Sequence, residues 1–306
     1  MTDNLSHLIL KNQSDIFDAI SKINNSIEDC KFNQGVVLSS LNRSNSSKNI
    51  ISHEFKVFSQ WGEDGIIQYL VNSIHIENRT FIEFGIEDFS ESNCKFLLMK
   101  DNWSGFVIDG SEENIGRLKR TNLYWKHELG AVAAFITMEN INSLLALSGF
   151  EKNVGILSVD IDGNDYHILE AITCISPSII ITEFNAVFGP TRLISVPYRP
   201  DFQRIKAHYS NLYFGASLSA LTALAAGRGY SLVGVNSAGN NAFYVRNDLL
   251  NSNVSAVGVE EVFAPSKFRE SRGEDRNLTW LSGESRAAIL RGMPVYNVES
   301  KLIEPF

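Results

Sequence analysis

Apolar residues follow two different rhythms along this chain. From residue 9 to residue 41, Ile9, Gln13, Ile16, Ile20, Ile23, Ile27, Cys30, Gln34, Val37 and Leu41 alternate in steps of four and three. That spacing is the a/d seam of a heptad repeat and predicts a long helix able to form a coiled coil. The same Asn- and Ser-rich segment also reads as a helix lying on its own domain, or as a disordered arm. Residues 42–49 (NRSNSSKN) read as a linker.

After residue 50 the rhythm becomes one of short β-branched runs separated by amphipathic stretches. Strands are predicted at Phe81–Gly85, Gly105–Asp109, Ala131–Ile136, Val154–Val159 and Ile179–Thr182. Continuous apolar runs of this length suit strands buried on both faces of a parallel sheet. Helices are predicted late in 53–70 and over Glu91–Met99, Glu112–Arg120, Ile141–Leu147 and Asn164–Ile175. Leu218–Gly227 (LSALTALAAG) predicts a further helix. Ser231–Val235 and Asn241–Val245 flank NSAGN, a hairpin turn composition. The alternation predicts a doubly wound α/β fold whose last strand is antiparallel. Residues 1–50 form the helical segment and linker, 51–250 the α/β domain. Residues 251–306 form an irregular extension with a helix near Ser285–Leu290.

Charge narrows the function. The 306 residues carry 27 basic and 35 acidic groups, a net charge of −8, which argues against a general nucleic-acid surface. Cys30, Cys94 and Cys174 show no zinc spacing, and three sparse thiols fit a reducing compartment. No signal segment opens the chain and no apolar run reaches membrane-span length. The expected location is the cytoplasm, with no membrane span.

The candidate chemistry sits at strand ends, where ligands bind in open α/β sheets. Asp160 and Asp162 end one strand, Glu183 and Asn185 the next, an oxygen set suited to a hard cation or a polyol. The first strand runs into FIEFGIEDFSESN, with Gly85 alone where a dinucleotide site needs G-x-G-x-x-G. Glu83, Glu87 and Asp88 would repel a pyrophosphate but suit a ligand with a positive centre, such as S-adenosylmethionine. Asp109 ends the second strand, where an acid commonly accepts from two ribose hydroxyls. Ser59 and Gln60 of SQWGEDG are candidates for the amino-acid end of that cofactor, although Ser59 or Asp64 also reads as a helix cap. His167 is the first candidate for a general base, because a neutral imidazole is available near pH 7. Asp162 is the alternative.

Taken together, FIEFGIEDFSESN, GFVIDGSEENI, AFITMENIN, ILSVDIDGNDYHIL, ITEFNAVFGP and LVGVNSAGNNAFYV resemble the FkbM-type S-adenosylmethionine-dependent methyltransferases over roughly residues 55–250. The resemblance implies a seven-stranded Rossmann-like methyltransferase sheet with an antiparallel last strand. It implies methyl transfer to a hydroxyl, usually of a sugar. It also implies a magnesium ion held by carboxylates at the ends of the fourth and fifth strands. Asp160 and Glu183 match those places, with Asn185 beside them. Ile86-Glu87-Asp88 departs from the small residues usual after Gly85.

The leading expectation is therefore an O-methyltransferase acting on a carbohydrate in surface polysaccharide or glycolipid synthesis. It would use S-adenosylmethionine and Mg²⁺ and assemble as a homo-oligomer through residues 8–41. The competing readings are a non-catalytic binding or assembly module displayed on a coiled coil, and a nicotinamide-dependent sugar oxidoreductase.

Overall fold

The computed structural model describes residues 2–306, with side chains from residue 10 onward. The elements in chain order are α1 (Thr2–Asn42), α2 (Glu63–Ser73), β1 (Thr80–Phe84), α3 (Lys95–Asp101), β2 (Ser104–Asp109), α4 (Glu112–Lys119), α5 (Asn122–Lys126) and β3 (Leu129–Ala133). There follow α6 (Ile141–Ala146), β4 (Ile156–Val159), α7 (Asp165–Ala171), β5 (Ile179–Glu183), β6 (Ile194–Ser195), α8 (Arg204–Ala207) and α9 (Leu218–Gly227). The chain continues with β7 (Tyr230–Val235), β8 (Asn241–Arg246), α10 (Val259–Val262), α11 (Glu284–Ile289), β9 (Pro294–Asn297) and β10 (Leu302–Pro305). Among the described residues no helix is long and apolar enough to cross a membrane.

The main sheet runs β3-β2-β1-β4-β5-β8-β7, parallel except for β8, which slots antiparallel between β5 and β7. This is a seven-stranded Rossmann-like sheet whose last strand in chain order is antiparallel. Strand order reverses between β1 and β4, so the crevice for a ligand opens there.

Successive strand residues face opposite ways, and the core divides accordingly. Ile82, Ile108, Leu157 and Ile180 face one layer with Ile168 of α7 and Leu221 of α9. Phe81, Val107, Ile156 and Ile181 face the other with Ile67 of α2, Leu97 of α3 and Ile115 of α4. Both sheet faces are covered, which is why the strands read as unbroken apolar runs.

The extension is more ordered than its composition implies. β9 pairs with β10 on one side and β6 on the other in a second, three-stranded antiparallel sheet. Val295 and Leu290 pack with Ile194, Val196 and Phe214 in a core of their own. The helix expected at 91–99 begins only at Lys95, because Ser92–Cys94 wraps around a buried carboxylate described below.

Candidate active site

A cleft of about 580 Å³ opens at the carboxyl ends of β1, β2, β4 and β5. On one side Gly85 follows β1 directly with φ +68°, a conformation open to glycine. A Cβ there would run into the carbonyl oxygen of Asp160 across the strand reversal. Glu83 is buried one pleat earlier. Its carboxylate accepts from the Ser92 hydroxyl at 2.6 Å and the Asn93 amide at 2.7 Å. Burial pushes this carboxyl up to about 7 despite those bonds. Asp109 accepts from the Glu87 amide and from the Ser111 amide, each at 2.8 Å. It thereby ties the loop after β1 to the start of α4. Gln60, Glu87, Asp109 and the half-exposed ring of Phe135 line the same side.

On the other side three carboxylates converge. Asp160, Asp162 and Glu183 each offer one oxygen, all within 4.8 Å of one another. The turn that presents the first two is shaped by Asp165, whose carboxylate accepts from the Ile161 amide at 3.0 Å and the Gly163 amide at 2.9 Å. Asp162 occupies the left-handed region, φ +55°, which aspartate tolerates better than most residues. Burial raises the Asp160 and Glu183 carboxyls well above the usual range, and repulsion within the acidic cluster adds to it. Glu183 Oε2 is buried with no hydrogen-bond partner among the described residues. A buried, unpartnered carboxylate oxygen beside two further acids is a donor set that fits a divalent hard cation.

Several residues here carried no clear signal in the sequence. Arg204 donates to Asp162 at 2.7 Å and to the Asn211 carbonyl at 2.8 Å, and lies 3.9 Å over the Phe214 ring. It forms an ion pair with the acid cluster, and the neighbouring Glu183 and Asp162 carboxylates hold its own pKa up against burial. Phe268 and Glu270, from the extension, close the cleft wall, and Phe268 stacks on Trp61 at 6.2 Å. Arg286 is buried behind them and donates to the Phe268 carbonyl at 2.8 Å. Asn241 lines the cleft next to Glu183 and donates to Glu63 at 2.9 Å.

Three expected site residues lie elsewhere. His167 does not reach the cleft. Its Nε2 bonds the Val196 carbonyl at 2.9 Å, and its ring sits among Tyr166, Tyr198 and Tyr296. Each helical step turns the side chain by about 100°, so Asp165 faces the cleft turn while His167 faces away. Asn185 is not free to bind a cation. Its amide donates to the Leu212 and Phe214 carbonyls, and its oxygen accepts from Val187. β5 ends at Glu183, so strand alternation no longer places Asn185 beside it. Ser59 is fully buried, and its hydroxyl donates to Asp64 at 2.7 Å.

Glu83 and Asp64 make a pH prediction. Both folded-state values are raised, to about 7 and about 6, by burial. The folded chain therefore holds extra protons. The stability they contribute is full below the ordinary carboxylate range and is lost as pH rises through the folded values. The melting temperature should fall between about pH 4.5 and pH 7, and Glu83→Gln should flatten that slope. An identical slope in the variant would remove Glu83 from the account.

No protein-family model and no curated protein sequence matches the chain. Among solved structures, the N-terminal domain of EvdMO1 with SAH bound is similar at 11% identity over 54% of this chain and 72% of that one, TM-score 0.34. An O-methyltransferase family protein from Burkholderia thailandensis matches at 8% identity over 63% of this chain and 52% of that one, TM-score 0.36. The CurJ carbon methyltransferase matches at 9% identity over 60% and 52%, TM-score 0.39. The chain spans about half the length of the last two. At these values the likeness is one of fold alone.

Proposed function

We propose that the chain is an S-adenosylmethionine-dependent O-methyltransferase that acts on a carbohydrate hydroxyl with the help of a divalent cation. The observation that carries this reading is the single cleft that joins the Gly85 turn and Asp109 to the cluster of Asp160, Asp162 and Glu183. The Gly85 side is bare of Cβ and lined by acids. It suits a ligand that brings a ribose and a positive centre and lacks a pyrophosphate. Phe135 offers an apolar face for a base. The cofactor supplies a methyl group already activated by its sulfonium.

What remains for the protein is to orient the acceptor hydroxyl and take its proton. Asp160 and Glu183 would hold the cation, whose charge lowers the pKa of a bound hydroxyl. Asp162, exposed at the cleft and steadied by Arg204, is the base in place of His167. The stacked rings of Trp61 and Phe268 offer a flat apolar wall for a sugar.

Asp109→Ala tests the cofactor half. Loss of charge-assisted hydrogen bonds to a ribose costs about 1.5–3 kcal/mol, so affinity for S-adenosylmethionine should fall about tenfold or more. Calorimetry on a variant of unchanged far-UV spectrum would read it, and equal affinity would overturn the assignment. Transfer of labelled methyl from S-adenosylmethionine to hydroxylated glycans, with and without EDTA, tests the reaction itself.

A further inference from the structure

The two faces of α1 meet different surroundings. Glu28, Phe32, Gly35, Ser39 and Asn42 turn toward the α/β domain. Lys95 Nζ lies 3.2 Å from Glu28, and the Phe32 ring meets Phe96 edge-on at 6.2 Å. A Cβ on Gly35 would lie 2.5 Å from Val57. The Ser39 hydroxyl donates to Gln68 at 2.8 Å and the Asn42 amide to the Gly65 carbonyl at 3.0 Å. In the heptad these are b and f positions, opposite the a/d row. That row is bare: Ile16, Ile20, Ile23, Ile27, Val37 and Leu41 are 50–64% exposed. Leu10, Phe17 and Leu38, at e positions, widen the stripe and are exposed too. Over residues 10–27 no side chain is buried against the domain.

We propose that this seam is covered by further copies of the same chain, packed parallel and in register as a coiled coil. The domain already occupies the opposite face, so packing in cis does not satisfy the seam. Isolated helices draw most of their stability from tertiary packing of an apolar face, and none is supplied over 10–27. Nine exposed apolar side chains make up the stripe, a continuous apolar surface of the kind a specific interface, at about 800 Å² from each partner, takes up. Charge does not oppose self-pairing. In parallel register the flanking g-to-e pairs are Asn12–Phe17, Ala19–Asn24, Ser26–Lys31 and Asn33–Leu38, with no like charges facing. Gln13 and Gln34 stand in the seam, where a polar layer pairs with its own counterpart and fixes register. Isoleucine at both a and d positions favours three strands or more over two. None of this depends on the proposed reaction.

Light scattering on the full chain tests it. The mass should be two or three times 34.1 kDa. The double variant Ile23→Asp/Ile27→Asp should bring it to one chain without lowering the melting temperature of the domain, because both side chains are solvent-exposed in the single chain. A single-chain mass for the parent overturns the proposal, as does an unchanged mass in the variant. Orientation is read through Cys30, which is exposed and at a d position. In parallel register two Cys30 thiols face each other. Diamide takes two electrons and two protons from them and becomes the hydrazine, leaving an interchain disulfide that Cys30→Ser abolishes. An antiparallel seam centred near residue 25 holds those thiols about 15 Å apart along the axis. Cross-linking that persists in Cys30→Ser, or none in the parent, rules out the parallel register.

Discussion

Glu183→Ala should lower methyl-transfer turnover by about 10²–10³-fold, the scale seen when one preorganised electrostatic group is removed from an active site. Its carboxylate sits at the end of β5 with Oε2 buried and unpartnered, facing Asp160 and Asp162. Two features separate loss of a working group from simple damage. Affinity for S-adenosylmethionine should stay within about threefold, since the cofactor side is built by β1 and β2 (a threefold change is about 0.65 kcal/mol). Stability without metal should hold or rise, because the substitution removes a buried oxygen that nothing satisfies and relieves repulsion on Asp160. Added Mg²⁺ should raise the melting temperature of the parent and not of the variant. Full turnover in the variant, or turnover indifferent to EDTA, would remove the cation from the reading.

Gly85→Ala should be the most damaging single methyl group in the sheet. The residue needs φ +68°, and its added carbon would occupy the space of the Asp160 carbonyl oxygen. Left-handed strain and overpacking each cost about 1–3 kcal/mol. At about 2–4 °C per kcal/mol for a domain of this size, the melting temperature should drop by roughly 10 °C. Relief requires β1 and β4 to separate at their carboxyl ends, so S-adenosylmethionine binding should fail together with stability. A melting temperature within about 2 °C of the parent would show that the two strand ends yield easily, and the tight approach would then have no bearing on the cleft.

The sheet was readable because its strands are covered on both faces. That turns Ile179–Thr182 and Val154–Val159 into apolar runs no surface segment would carry. α9 was equally plain, since Leu218–Gly227 combines strong helix formers with a glycine stop. Strand-end acids were found because a charged residue closing a buried strand is conspicuous. Strand and helix geometry do not carry one step past an element's end. Asn185 lies beyond β5, where the chain has turned into a 3-10 helix that its own side chain caps. His167 follows Asp165 by two residues, a distance that on a helix means the other side. Arg204, Phe268 and Glu270 come from stretches with neither period, and only the three-dimensional path of the chain brings them beside Asp162. β6, β9 and β10 are short, and the pairing of β6 with β9 joins residues about a hundred positions apart.

The wall built by Phe268 and Glu270, with Arg286 behind it, has a consequence for synthesis. A polypeptide leaves the ribosome from its amino end, so all seven strands of the main sheet emerge before any of these three residues does. The Gly85 turn and the acid cluster can then take shape while one wall of the cleft is still being translated. During that interval Asp162 and Arg204 face open water, and an acceptor has no Trp61–Phe268 pair to lie against. On the proposed reading, competence to select an acceptor thus arrives later in synthesis than competence to hold the cofactor, and a chain ending between residues 250 and 265 would display the second without the first.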